Sequence, residues 1–96
     1  MSIVEVATFR LAAGVSDESF LALDRRVQTE LVPNQPGFMR RTTARSGEDW
    51  LVVTLWSTED AAAAFERAAR DDPLQAAFTE TIDSGTLRLV RYSTLD

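Results

Sequence analysis

Trp50-Leu51-Val52-Val53-Thr54-Leu55-Trp56-Ser57, running directly into Thr58-Glu59-Asp60-Ala61, is the stretch from which the rest of the chain is read. Eight residues rich in β-branched and aromatic side chains predict a strand, Trp50 to Ser57. Ser57 or Thr58 then supplies a helix N-cap, with Glu59 and Asp60 at the positive end of the helix dipole. Along the strand, Leu51, Val53 and Leu55 share one face, while Trp50, Val52 and Trp56 share the other with Thr54 as its polar member. A strand that is apolar on both faces belongs in the middle of a sheet covered from two sides.

The segments on either side fit such a sheet. Upstream, Ile3 to Leu11 reads as a strand, broken by Ala13-Gly14. Ser16 caps a helix that continues to about Val32, with Phe20, Leu23, Val27 and Leu31 on its apolar stripe and Asp24, Arg25 and Gln28 off it. Pro33 ends that helix, and Asn34 to Gly37 turns the chain. Phe38 to Ser46 is a strand joined to the next by the tight Gly47-Glu48-Asp49 connection. Downstream, an Ala-rich helix runs to about Asp71 and Asp72-Pro73 interrupts it. Leu74 to Ile82 is a further helical piece, and Asp83-Ser84-Gly85 leads into a last strand, Thr86 to Tyr92. The order β-α-β-β-α-β predicts an α+β, ferredoxin-like fold: a four-stranded antiparallel sheet with its helices on one face, in a single domain over residues 1–96.

Helices on one face leave the other uncovered. Val4, Val6, Leu51, Val53 and Leu55 are expected on that face, and keeping such side chains in water costs about 1.5–3 kcal/mol each. A twofold copy of the same sheet is the simplest cover, so the expectation is a homodimer through the sheet face.

Composition narrows the function. The chain has no Cys and no His, which removes disulfides, thiolate metal sites and the commonest general base and metal ligand. Its ten cationic side chains are all Arg, so no lysine Schiff base can form. A net charge of −5 without a basic face argues against nucleic acid. The acidic pairs Glu48-Asp49 and Asp71-Asp72 lack a third ligand at a recognisable spacing, so no metal is expected. No apolar run is long enough for a membrane span, and Met1 to Phe9 reads as strand without a basic leader, so the expected location is the cytoplasm.

Three segments resemble a known family: Ala7-Thr8-Phe9-Arg10-Leu11 at the end of the first strand, Gln35-Pro36-Gly37-Phe38 before the second, and Trp56-Ser57-Thr58-Glu59-Asp60-Ala61. Together they resemble the dimeric α+β barrel proteins, in the antibiotic-biosynthesis-monooxygenase-like branch, over nearly the whole chain. The resemblance implies a dimer barrel with a cavity between sheet and helices in each subunit. It also implies cofactor-independent oxygenation of a small aromatic molecule. Haem-degrading members hold the iron with a His on the second helix, where this chain has Phe65-Glu66-Arg67, and carry an Asn where it has Phe9. Haem chemistry is therefore not expected, and no cofactor is.

The cavity candidates are Trp56, Phe9, Glu5, Phe65 and Tyr92. Trp56 either walls an aromatic ligand or fills the space under the second helix. Glu5, mid-strand on the Ala7/Phe9 side, is either a general base or the partner of an Arg. Tyr92 either offers its hydroxyl to the cavity or closes the barrel end. Trp50 is expected at a rim or interface, and Arg40, Arg41, Arg88 and Arg91 as charges on edge strands. A non-catalytic ligand-binding or interaction domain of the same fold is the alternative to an enzyme. Polar groups converging on an open cavity favour the enzyme; a cavity filled by Phe9, Phe65 and Phe78 favours the alternative.

Overall fold

The computed structural model describes residues 1–96. Its elements are β1 (Ile3–Phe9), α1 (Asp17–Arg26), β2 (Phe38–Ser46), β3 (Asp49–Trp56), α2 (Glu59–Ala69), α3 (Pro73–Glu80) and β4 (Arg88–Ser93). The strands form one antiparallel sheet in the order β2-β3-β1-β4. This is the expected α+β, ferredoxin-like arrangement, with β2 and β4 at the edges. No helix is long and apolar enough to cross a membrane.

Local chemistry explains the boundaries. Ser16 accepts the backbone N–H of Ser19, Thr58 that of Ala61 and Asp72 that of Gln75, so each helix begins on a side-chain cap. β1 stops at Phe9 rather than Leu11, which makes only an isolated bridge with Ile82. The first helix does not run unbroken to Val32. It widens into a π turn over Val27–Leu31 and tightens to a 3-10 turn over Val32–Asn34, because Pro33 cannot donate the backbone bond that regular helix requires. The β2–β3 hairpin turns through Gly47, at φ +60°, and Glu48. Gly37, at φ +80°, lets the chain pass close beneath α2: a Cβ there would lie 2.4 Å from that of Ala61.

Strand register assigns the faces. Ile3 lies opposite Trp56, Glu5 opposite Thr54, Ala7 opposite Val52 and Phe9 opposite Trp50, and this set faces the helices. Phe20 of α1 is fully buried at the centre, its ring 5.7 Å from Phe9, 4.6 Å from Trp50 and 5.4 Å from Phe78. Val27, Leu31, Val32 and Val52 complete this core, and Ile3, Trp56 and Ala62 form a second cluster beneath α2.

Two sequence expectations are corrected here. Trp50 is not a rim residue: it is buried against Phe20, with the Arg45 guanidinium 5.0 Å above its ring. Arg41 is not an exposed edge charge. Its side chain is only 4% exposed and forms a 2.8 Å ion pair with Asp24, which is itself buried. Although β2 is an edge strand, Arg41 points inward, and α1 closes over that edge.

Candidate functional site

A pocket of about 230 Å³ opens between the inner face of the sheet and the helices. Ala7 and Val52, neighbours across β1 and β3, are the small floor residues that leave the space. Phe9, Phe65 and Phe78 stand around it as walls and do not fill it. Its more exposed lining residues, Glu66, Thr79, Leu87 and Leu89, mark the mouth.

One row of polar side chains crosses the floor. Register places Arg41 opposite Thr54, Thr54 opposite Glu5, and Glu5 opposite Arg91, so the four lie side by side across all four strands on the helix-facing side. All four line the pocket. Arg91 donates from Nε to Glu5 Oε2 at 2.7 Å and from Nη2 to Glu66 Oε2 at 2.9 Å. Trp56 Nε1 donates to Glu5 Oε1 at 3.3 Å. At the other end, Arg41 Nη1 donates to Gln28 at 3.3 Å and to Thr43 at 3.4 Å, Nη2 meets Asp24 at 2.8 Å, and the guanidinium lies 5.5 Å from the Phe78 ring centroid. Hydrogen bonding to the Glu5 carboxylate is the main cause that raises Arg91 above its ordinary pKa, against an opposing effect of burial.

The candidates read from the sequence occupy three different positions. Phe9, Glu5 and Phe65 line the pocket. Trp56 is fully buried behind it, packed 5.8 Å from Phe38 and 5.1 Å from Phe65, and touches the polar row through Glu5. Tyr92 lies outside it. It pairs with Val4 on the helix-free face and is 55% exposed, because the register of β4 turns Arg91 rather than Tyr92 inward.

Sequence reasoning missed Arg41, Thr54 and the Asp24 partner. The signal for Asp24 was its spacing: Phe20, Asp24, Val27 and Leu31 follow the same i, i+4, i+7 pattern as the core stripe. Thr54 was the lone polar residue on a face of aromatics and Val, and a polar residue in such company requires a partner or a ligand.

No family model and no curated protein sequence matches the chain. Solved structures do match it in shape. A mutant form of SnoaB, a cofactor-independent oxygenase from Streptomyces nogalater, superposes with a TM-score of 0.81 at 17% identity, over 99% of this chain and 94% of that one. A conserved protein from Methanosarcina mazei Go1 gives 0.78 at 15% identity, over 96% and 91%. A monooxygenase from the gene ActVA-Orf6 of Streptomyces coelicolor, solved with the ligand nanaomycin D, gives 0.72 at 20% identity, over 99% and 88%. Across almost its full length, the chain has the fold of the antibiotic-biosynthesis-monooxygenase-like proteins.

Proposed function

We propose that the chain is a homodimeric, monooxygenase-like protein that takes a small aromatic molecule into this pocket and acts on it without metal or organic cofactor. The observation that carries the reading is an open pocket with phenyl walls and a floor of converging polar groups. Such sites combine apolar enclosure with a few placed donors and acceptors. An apolar cavity of about 150 Å³ takes benzene, so about 230 Å³ suits one or two fused rings.

The chemistry that fits is direct oxygenation. A phenol or enol loses a proton in the pocket, and the resulting anion gives electrons to O₂. A CH₂ between two unsaturated groups becomes C=O, the second oxygen atom leaves as water, and the atoms balance without another reductant. In this reading free N–H groups of Arg41 and Arg91 stabilise the oxyanion, and Glu5 takes the proton. The non-catalytic reading draws on one detail: both Glu5 oxygens are already engaged, by Trp56 and Arg91.

The homodimer rests on the opposite face, which Val4, Val6, Leu51, Val53 and Leu55 occupy with Val90 and Tyr92, the last two 43% and 55% exposed. A light-scattering mass of one 10.7 kDa chain at micromolar concentration overturns the dimer. For the activity, chelator-treated protein is mixed with a panel of anthrones and naphthols in an oxygen electrode. Saturable oxygen uptake with quinone absorbance, lost in a folded Ala7→Phe variant, supports the enzyme. Binding without uptake leaves the binding-domain reading, and no binding by any member overturns both.

A further inference from the structure

Thr54 stands apart within the polar row. It is 92% buried, and its hydroxyl makes no hydrogen bond within the protein, although it keeps contact with the pocket space. Every other member of the row is partnered: Glu5 with Arg91 and Trp56, Arg91 with Glu66, and Arg41 with Asp24. That hydroxyl is open to the pocket rather than sealed, since no buried side-chain nitrogen or oxygen is left unpaired, so a ligand oxygen can reach it without displacing a protein contact. Its neighbours across the strands are Arg41 and Glu5, so whatever bonds to Thr54 lies between a guanidinium and a carboxylate.

The charge count limits what that can be. Among the residues lining the pocket, Arg41 and Arg91 balance Glu5 and Glu66, and Asp24 lies just behind Arg41. No cation is left without a carboxylate partner to offset the desolvation of a bound carboxylate. Donors remain: Arg91 has used only Nε and Nη2, and Arg41 only Nη1 and Nη2, of five N–H groups each.

We infer that Thr54 is the residue that selects the ligand, and that the ligand is an uncharged hydroxyaromatic or aryl ketone whose oxygen bonds to the Thr54 hydroxyl while its rings lie over Ala7 and Val52. The inference rests on the aromatic-pocket reading above and adds to it the polarity and charge of the ligand and the group that reads them.

Binding of a naphthol, naphthalene and a naphthoate is measured by calorimetry on the wild type, Thr54→Val and Thr54→Ser. The naphthol is expected to bind wild type about tenfold more tightly than naphthalene, the worth of one buried hydrogen bond, and more tightly than the naphthoate. Thr54→Val, which preserves shape and suits a strand, is expected to erase that preference and leave naphthalene affinity unchanged; Thr54→Ser is expected to restore it. If the naphthol preference survives in Thr54→Val, or the naphthoate binds best, the inference is wrong while the aromatic pocket stands. If none of the three binds wild type, the pocket reading falls and this inference with it.

Discussion

Replacing Asp24 by Ala tests the most consequential buried interaction in the fold. The Arg41 side chain is 4% exposed and that of Asp24 12%, with 2.8 Å between Nη2 and Oδ1. Asp24 also accepts a 3.0 Å hydrogen bond from the Thr43 hydroxyl. Removing the carboxylate leaves a guanidinium enclosed by α1 and the Phe78 ring, with only the neutral Gln28 and Thr43 as partners. Breaking one side of a sealed ion pair costs about 3–5 kcal/mol. For a domain of this length each 1 kcal/mol moves Tm by about 4–8 °C, so Tm should fall by at least about 12 °C. Urea unfolding followed by circular dichroism, at one fixed protein concentration, measures the loss directly. The double variant Asp24→Leu/Arg41→Met should recover most of it, since apolar replacement of a whole buried pair is often neutral or better. A loss under about 1 kcal/mol for Asp24→Ala would refute the reasoning: it would mean that Arg41 swings past the sheet edge into water and that the pair is not sealed.

Other expected outcomes follow from single contacts. Gly37→Ala should destabilise by about 2–4 kcal/mol in urea unfolding, combining the left-handed backbone penalty with overpacking against the Ala61 Cβ, which its own Cβ would approach to 2.4 Å. Trp56→Phe should cost about 1–3 kcal/mol, because a fully buried indole is lost together with its bond to Glu5; wild-type stability would show that the indole carries no structural role. Hydrogen bonding from Arg26 holds the Glu30 carboxyl below its ordinary value of 4.5. Its contribution to stability should therefore be complete above that value and vanish as pH falls through the folded-state pKa. Carboxyl NMR titration of Glu30 in the wild type and in Arg26→Gln checks this: equal midpoints in the two proteins would contradict it.

Much of the fold was legible because strand and helix periodicity are local properties. The alternation from Trp50 to Trp56 separated the two faces of β3 without reference to any other segment, and the capping residues marked each helix start. Phe9, Glu5 and Phe65 do line the pocket: strand parity put Glu5 and Phe9 on one face of β1, whereas Phe65 came from the family resemblance. Tyr92 does not line it, since one residue of register in β4 decides whether Arg91 or Tyr92 turns inward, and that register is set by pairing with β1, nearly the whole chain away.

The sequence by itself determined the element order, the two-sided apolar sheet and the exclusion of His- and Cys-based chemistry, because these follow from residue type and spacing. Only the tertiary structure decided that Trp50 is core, that Arg41 is buried with Asp24, and that Arg41, Thr54, Glu5 and Arg91 form one row. Those four residues come from four strands. Their alignment is a consequence of cross-strand hydrogen bonding, which no spacing along a single segment records.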